Sequence, residues 1–101
     1  MARTAIHPGE HLKLELDEIG MSASELARQL RVPANRLTEI IASQRSITAE
    51  TAVLLGHWFG MSAAFWLNLQ TMYDLRNAEK ALGKFIAKLP TLKRATGEPA
   101  Q

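Results

Sequence analysis

The sequence has no cysteine and no long apolar run, and each absence excludes a class of protein. Without cysteine there is neither a disulfide framework nor a thiolate zinc site, which fits a reducing compartment. No apolar stretch approaches the ~20 residues that a membrane-spanning helix needs. The first residues also lack the apolar core of a signal peptide. We therefore expect a cytoplasmic protein with no membrane segment.

Aromatic residues are few as well, with three Phe, two Trp and one Tyr, and runs of β-branched residues are scarce. Ala, Leu, Glu, Lys and Arg dominate instead, and these residues favour helix. The chain has 101 residues, 47% of them hydrophobic, which suffices for one domain with one modest core. The formal net charge of +2 is too small to identify a partner. The composition predicts a single all-α domain.

Capping residues mark where the first helices begin and end. Pro8 can occupy the first turn of a helix, and Gly20 is a natural left-handed stop for it. Ser22 and Glu25 then match a capping box, which opens a second helix. A third helix is expected from about residue 33 to residue 42.

The second half of the chain carries the same kind of signal. Thr48 can cap a fourth helix that Gly60 closes, and Ser62 can cap a fifth. Residues 78–89 are also helical in period, so they either continue the fifth helix or form a sixth before Pro90 stops them. The sequence therefore predicts five or six short helices around one core.

Segment 21–41 is the most informative part of the chain. Its apolar residues have helical spacing on each side of residues 31–33 and lose that spacing between. Ala27 is small where a crossing helix would need close approach. Arg31 stands at the turn, where a left-handed backbone usually belongs to glycine and costs another residue ~1 kcal/mol. Two short helices joined by a tight turn are typical of a helix-turn-helix, whose second helix enters the DNA major groove.

The second of these helices carries the side chains that would read DNA. With Leu37, Ile40 and Ile41 facing inward, its polar side chains point outward or to its edges. There, Asn can pair with adenine, Arg with guanine, and Glu can accept from cytosine. A helix N-terminus at Ser22 suits a phosphate, and neighbouring polar residues can grip the DNA backbone. The predicted DNA contacts are Ser22, Arg28, Arg31, Asn35, Arg36, Thr38, Glu39, Gln44 and Arg45. Taken singly, each is more typical of an ordinary solvated residue, and it is their placement around a helix-turn-helix that favours DNA binding by the group.

Residues 7–11 match H-x-x-E-H, a zinc-peptidase signature. That chemistry needs both His side chains on one face of a helix, and here Pro8 and Gly9 separate them. His7 lies outside a helix that begins at Pro8, and no obvious third ligand follows, because His57 sits among core residues. We predict no metal site, no cofactor and no catalytic residue.

The C-terminal half is richer in apolar and aromatic residues than a small core needs. A helix with apolar residues on more than one face must bury the rest against something, and a second copy of the chain is the expected partner. The predicted dimer interface comprises Trp66, Leu69, Met72 and Tyr73. Residues 1–90 would then form one domain for DNA binding and dimerisation.

The two ends of the chain are expected to lie outside this packed domain. Residues 1–6 precede the first cap and are interpreted as a short N-terminal arm. Residues 91–101 contain little apolar material, together with a glycine and a proline. Their composition predicts a disordered C-terminal tail.

Four segments together resemble a known family. They are HPGEHLKLEL at 7–16, SELARQLRVPANRLTEII at 24–41, RSITAETAVLLGHWFG at 45–60 and FWLNLQTMYDLRNAEK at 65–80. The chain is similar to HigA-type antitoxins of the lambda-repressor-like (XRE) helix-turn-helix family. The resemblance implies a dimeric bacterial repressor that binds a palindromic double-stranded DNA operator in its own promoter. It also implies neutralisation of a small RelE-like ribonuclease toxin encoded beside it.

Three positions depart from that family's pattern. Arg31 replaces the usual turn glycine, and Ala42-Ser43 stands where Asn-Gly is frequent after the recognition helix. Gly56 stands in a helix where alanine is common. The first two departures alter the edges of the DNA-reading unit without removing the fold.

The first helix is acidic, with four carboxylates against one lysine. RelE-like ribonucleases carry basic surfaces for RNA, so this helix is a candidate toxin site. The same acidic residues are also explained by the helix dipole alone. They are Glu10, Glu15, Asp17 and Glu18, with Lys13 between them. Two alternatives to an antitoxin remain, a stand-alone XRE regulator without a toxin and a helical protein-interaction module.

Overall fold

The computed structural model describes residues 6–93, which fold into five helices. In chain order they are α1 (Pro8–Ile19), α2 (Ala23–Leu30), α3 (Ala34–Ile41), α4 (Ala49–Phe59) and α5 (Ala63–Ile86). The all-α fold that the composition predicts is confirmed. Most of the predicted arm, residues 1–5, and of the predicted tail, residues 94–101, lies outside the described residues.

The helix boundaries follow the capping chemistry that the sequence predicts. Ser22 Oγ accepts a hydrogen bond from the Glu25 N–H at 3.1 Å, and Glu25 Oε1 accepts from the Ser22 N–H at 3.5 Å, which completes the capping box. Thr48 and Ser62 cap α4 and α5 with their hydroxyl oxygens. Gly20 ends α1 in the left-handed conformation, with φ at 68°.

Helix α5 is continuous over 24 residues, and it ends at Ile86 rather than at residue 89 as the periodicity predicts. The N–H groups of Lys88 and Leu89 bond to carbonyls three residues back, which is the tighter turn of a helix end. Pro90 explains the early end, because α-helical backbone is disfavoured for the residue before a proline. No sixth helix follows α5 within the described chain.

Trp66 lies at the centre of the core and is fully buried. The rings of His11, Phe59 and Phe65 surround it, with centroids 5.5, 5.7 and 5.4 Å away. Helix α2 packs on α3, α4 packs on α5, and α1 contacts both pairs. The other fully buried large apolar side chains are Leu12, Leu26, Leu37, Ile40 and Leu55.

Within residues 6–93, none of the helices has the length and apolar character needed to cross a membrane.

The first turn of α1 packs directly against the backbone at the end of α3. A Cβ at Gly9 would overlap the carbonyl oxygen of Ile40, so only glycine fits there. His7 caps the same turn, because its Nδ1 accepts from the Gly9 N–H at 2.9 Å. The His7 ring also lies edge-on to Tyr73, with centroids 4.8 Å apart. This turn therefore ties α1 to both α3 and α5.

A second close approach accounts for Gly56 in α4. A Cβ at this position would lie 2.7 Å from the carbonyl oxygen of Met61, in the turn that leads to α5. The Met61 N–H donates to the Gly56 carbonyl at 2.9 Å and holds that turn against the helix. The turn lies too close to α4 for an alanine at this position.

We predict that Gly9→Ala lowers the free energy of unfolding by about 1–3 kcal/mol, because the backbone must move to admit the methyl group. Gly83→Ala is the matched control, since Gly83 is also helical and has nothing within 4 Å of an added Cβ. That substitution should stabilise the protein by about 0.5–1 kcal/mol through helix propensity. Urea unfolding followed by circular dichroism measures both changes. Equal effects in the two variants would contradict the tight contact between α1 and α3.

Burial lowers the pKa of His7 from its ordinary value of 6.5, and the carboxylates of Asp74 and Glu10 partly oppose this effect. Only the neutral ring can cap α1, because Nδ1 must be unprotonated to accept from Gly9. The unfolded chain takes up a proton at His7 near pH 6.5, whereas the folded chain resists protonation to a lower pH. The stability that neutral His7 provides is therefore complete above pH 6.5 and decreases as the pH falls towards the folded pKa.

We expect His7→Asn to make stability less sensitive to acid. Asparagine keeps a capping oxygen but does not titrate, so this variant should lose less unfolding free energy below pH 6.5 than the native protein does. Chemical unfolding measured at a series of pH values gives the comparison. Parallel stability curves for the two proteins would show that His7 does not supply the acid sensitivity.

Candidate nucleic-acid interface

Helices α2 and α3 form the helix-turn-helix that the sequence predicts. Ala27 is buried where the two helices cross. Arg31 adopts the left-handed conformation, with φ at 60° and ψ at 41°. The next N–H, that of Val32, donates to the Ala27 carbonyl at 3.0 Å and closes the turn. Arginine thus occupies the position where glycine is usual, and the hydrogen bond that closes the turn still forms.

The rotation of α3 agrees with the predicted inward face. Leu37 and Ile40 are fully buried, while Ile41 is half-buried at the edge. Asn35 and Thr38 are exposed on the opposite side. Pro33 begins the helix without a side-chain cap, so no side chain satisfies the N–H groups of its first turn. The N-terminal end of α3 is therefore polar and open.

The remaining predicted contacts bracket α3 and are exposed. Ser22 caps α2 at its N-terminus, and Arg28 lies on the same helix. Arg31 occupies the turn before α3, and Gln44 and Arg45 lie in the loop after it. Among the described residues, neither Arg28 nor Arg31 forms an ion pair. Both guanidinium groups are thus available to an anion.

Two other arginines of this surface are held by carboxylates that sequence reasoning did not pair with them. Arg36 Nη1 lies 3.3 Å from Glu50 Oε1, which joins α3 to the first turn of α4. Arg45 Nε donates to Glu39 Oε1 at 2.8 Å, and Arg45 Nη2 lies 2.8 Å from the same oxygen. No local signal in the sequence indicated the contact of Glu50 with α3 across the fold.

The loop after α3 is held at both ends. The Gln44 N–H donates to the Glu39 carbonyl at 2.8 Å, and Ser43 takes a left-handed conformation with φ at 62°. Further along, the Ile47 N–H donates to the buried amide oxygen of Gln70 at 2.7 Å. Ser43 therefore stands where a glycine would be the natural residue. In the sequence, the one signal of the contact with Ile47 is that Gln70, a polar residue, stands at a position of α5 where the apolar periodicity predicts burial.

The structure contradicts part of the predicted dimer interface. Trp66 cannot contact a second copy, because the protein's own core covers it completely. Tyr73 packs edge-on against His7, and Leu69 is half-buried against the core. Only Met72 is substantially exposed, at 52%. Apolar periodicity could not separate the face of α5 that its own core uses from the face left over.

The exposed apolar residues of α5 lie further along the helix. They repeat at helical spacing on one side of the helix, from Met72 through its C-terminal half. We call them the α5 stripe, and its members are Met72, Leu75, Leu82, Phe85 and Ile86. This half of α5 lies outside the packed core, so the stripe has no cover within the described residues.

The H-x-x-E-H segment forms no metal site in the described part of the chain, where no cluster of three His, Cys, Asp or Glu side chains could hold an ion. His7 is occupied as the α1 cap, as described above. His11 Nε2 lies 3.2 Å from Glu15 Oε2 on the next turn of the helix. His57 is exposed on α4.

Comparison with known proteins finds close relatives, although no family model matches the sequence. Virulence-associated protein I of Dichelobacter nodosus is 52% identical over 77 residues, which cover 75% of this chain and 71% of that protein. An addiction module antidote protein of the HigA family from Coxiella burnetii has a TM-score of 0.86 and 48% identity, over 89% of this chain and 99% of its own. The antitoxin HigA of Pseudomonas aeruginosa, solved with the higBA promoter, has a TM-score of 0.83 and 44% identity, over 87% of this chain and 98% of its own.

Proposed function

This chain belongs to the HigA family of antitoxins, which are helix-turn-helix regulators of the XRE type and not enzymes, and on that premise we propose that it binds a palindromic operator in its own promoter. The observation that carries the proposal is the open polar face of α3, which holds Arg36 and is bracketed by Arg28, Arg31 and Arg45. The relative from Pseudomonas aeruginosa was solved with promoter DNA, which supports the same role for this surface. The protein would act in the cytoplasm, where its promoter lies.

In this proposal the contacts divide into two kinds. Asn35, Arg36 and Thr38 face the major groove and read bases, because they lie on the outward side of α3. Arg28, Arg31 and Arg45, with Ser22 and Gln44, grip the phosphates on either side. Arg36 would keep its contact with Glu50 or exchange it for a base when DNA binds. The charge balance of this surface favours a polyanion, since four arginines outnumber its three carboxylates, those of Glu25, Glu39 and Glu50.

Asn35→Ala and Arg36→Ala should weaken operator binding by ~1–3 kcal/mol for each base that the variant no longer reads, doubled across a dimer. Both should leave thermal stability nearly unchanged, since Asn35 is exposed and the Arg36 ion pair is open to water. Leu37→Ala should instead destabilise the fold by about 2–5 kcal/mol, because it leaves a cavity in the core. Anisotropy with a duplex from the region upstream of the gene measures binding, and thermal melting measures folding.

Two results would count against this assignment. If all three variants lost folding equally, the rotation of α3 would be wrong. If the Asn35 and Arg36 variants folded and bound the upstream duplex as tightly as the native protein does, α3 would not read bases. A duplex of the same composition in shuffled order is the control for specific binding.

We also propose that two copies pair through the α5 stripe. Exposed apolar side chains at helical spacing are typical of a surface that a partner covers. A twofold dimer would place two copies of α3 about one DNA turn apart, roughly 34 Å, which is the spacing that a palindromic operator needs. Helices α1–α4 would then carry DNA reading and the end of α5 would carry pairing, within one domain.

Sedimentation at micromolar concentration should give twice the chain mass of 11.2 kDa. Leu82→Glu should yield monomers, because pairing would bury a carboxylate without a partner. Leu14→Glu is the matched control, since Leu14 is 66% exposed on α1, outside the stripe, and this variant should remain dimeric. A native protein that sediments as a monomer, or a Leu82 variant that stays dimeric, would contradict pairing through the stripe.

We propose α1 as the surface that binds a RelE-like toxin. Glu15 lies against His11 and Asp17 pairs with Lys13 at 3.2 Å. Glu10 and Glu18 make no ion pair among the described residues and lie one turn to either side of exposed Leu14. An apolar side chain flanked by unpaired carboxylates suits a basic protein surface.

Reversing Glu10 and Glu18 to Lys should abolish neutralisation of the toxin encoded beside the gene while operator binding persists. Co-expression growth assays measure neutralisation, and anisotropy measures DNA binding. Unchanged neutralisation by the folded variant would eliminate α1 as the toxin site. If no adjacent reading frame encodes a small basic ribonuclease, the protein is a stand-alone regulator.

A further inference from the structure

One oxygen of the Glu39 carboxylate is already engaged by Arg45 in the free protein. Glu39 Oε1 accepts from Nε of Arg45 at 2.8 Å and lies 2.8 Å from Nη2 of the same guanidinium. Such charge-assisted bonds from a planar guanidinium are stronger and more directional than bonds between neutral groups. A cytosine contact through Oε1 would compete with that pair. The geometry therefore favours the contact with Arg45 over the direct base contact expected of Glu39.

The loop that carries Arg45 is held by backbone hydrogen bonds on both sides of this residue, and its side chain is held by Glu39. The Gln44 N–H donates to the Glu39 carbonyl at 2.8 Å, so Glu39 holds the loop through its main chain as well. At the other end, Gln70 anchors Ile47 at 2.7 Å. The guanidinium has five donors, and the pair with Glu39 uses only its Nε edge. The Nη1 group stays available, and the Arg45 side chain is 42% exposed.

We propose that Glu39 is a positioning residue, which holds Arg45 in the orientation that its remaining donors need to reach a DNA phosphate. The inference rests on the DNA binding proposed above. An arginine that is already ordered loses less freedom on binding, which is worth about three- to ten-fold in affinity. The negative charge of Glu39 acts in the opposite direction, since it repels phosphate. Because the two effects differ in sign, a double-mutant cycle separates them.

The cycle compares the native protein with Glu39→Gln, Arg45→Ala and the double variant. The probe is a labelled duplex of mixed sequence, roughly 30 base pairs long, so that it spans two recognition helices. Phosphate contacts do not depend on sequence, so this probe reports them whether or not the operator is known. Anisotropy at several salt concentrations gives the affinity and its salt slope. Asp17→Asn removes another ion-paired carboxylate, on α1, and controls for net charge.

Glu39→Gln should lower the affinity of the native protein about three- to ten-fold. In the Arg45→Ala background it should leave the affinity unchanged or raise it slightly, because only the repulsive charge is removed there. Arg45→Ala should make the salt slope shallower by about one unit for each phosphate that it no longer neutralises, whereas Glu39→Gln should preserve the slope because the charge of Arg45 remains. A purely structural role for Glu39 would not produce this pattern.

An equal rise in affinity on Glu39→Gln in both backgrounds would show that Glu39 acts by charge alone. A larger rise in the native background would show that Glu39 competes with phosphate for Arg45. Either result overturns the proposal. If Glu39→Gln melts early, Arg45→Lys supplies the test, because lysine keeps the charge without the Nε edge. It should preserve the salt slope but weaken binding as Glu39→Gln does, and full affinity would overturn the positioning role.

The proposed function and this inference fail in different ways. If the native protein binds its upstream duplex no better than a shuffled one, the operator proposal fails, while the cycle still reports on the phosphate contact. If the native protein prefers the upstream duplex and the cycle shows no coupling between Glu39 and Arg45, only the positioning role is overturned.

Discussion

The backbone of α1 at Gly9 lies directly against the backbone of α3 at Ile40, and this contact holds the helix-turn-helix in place. No side chain separates them, so the position of α3 depends on main chain rather than on adjustable rotamers. Leu37 and Ile40 are buried on the same side of α3, and its polar side chains must therefore point away from the core. The surface proposed to read DNA is thus a consequence of how tightly α1 lies beneath it.

Local chemistry made most of the architecture predictable. The capping box at Ser22 and Glu25 and the hydroxyl caps at Thr48 and Ser62 lie within three residues of the groups that they bond. Such contacts need no knowledge of the fold, and so the starts of α2, α4 and α5 matched expectation. Helical periodicity likewise oriented α3, because a helix that buries one apolar stripe has only one way to face.

The rest depends on contacts between residues far apart in the chain. Trp66 was expected at a dimer interface because periodicity identifies an apolar face but not what covers it. Glu50 meets Arg36, and Gln70 meets Ile47, across distances in sequence that no local pattern encodes. The residues predicted to contact DNA lie on and around α3, but which of them are already engaged in the free protein could not be read from their spacing.

The α5 stripe and the exposed face of α3 belong to different helices, separated along the chain by α4. Substitutions in one can therefore accumulate without disturbing the other. In the dimer proposed above, two sister proteins made after a gene duplication would at first exchange subunits freely, because their stripes would be identical. A few charged or bulky replacements along the end of α5 would stop that exchange while both proteins still recognised the same DNA. The two proteins can thus stop forming mixed dimers before the promoters that they control diverge.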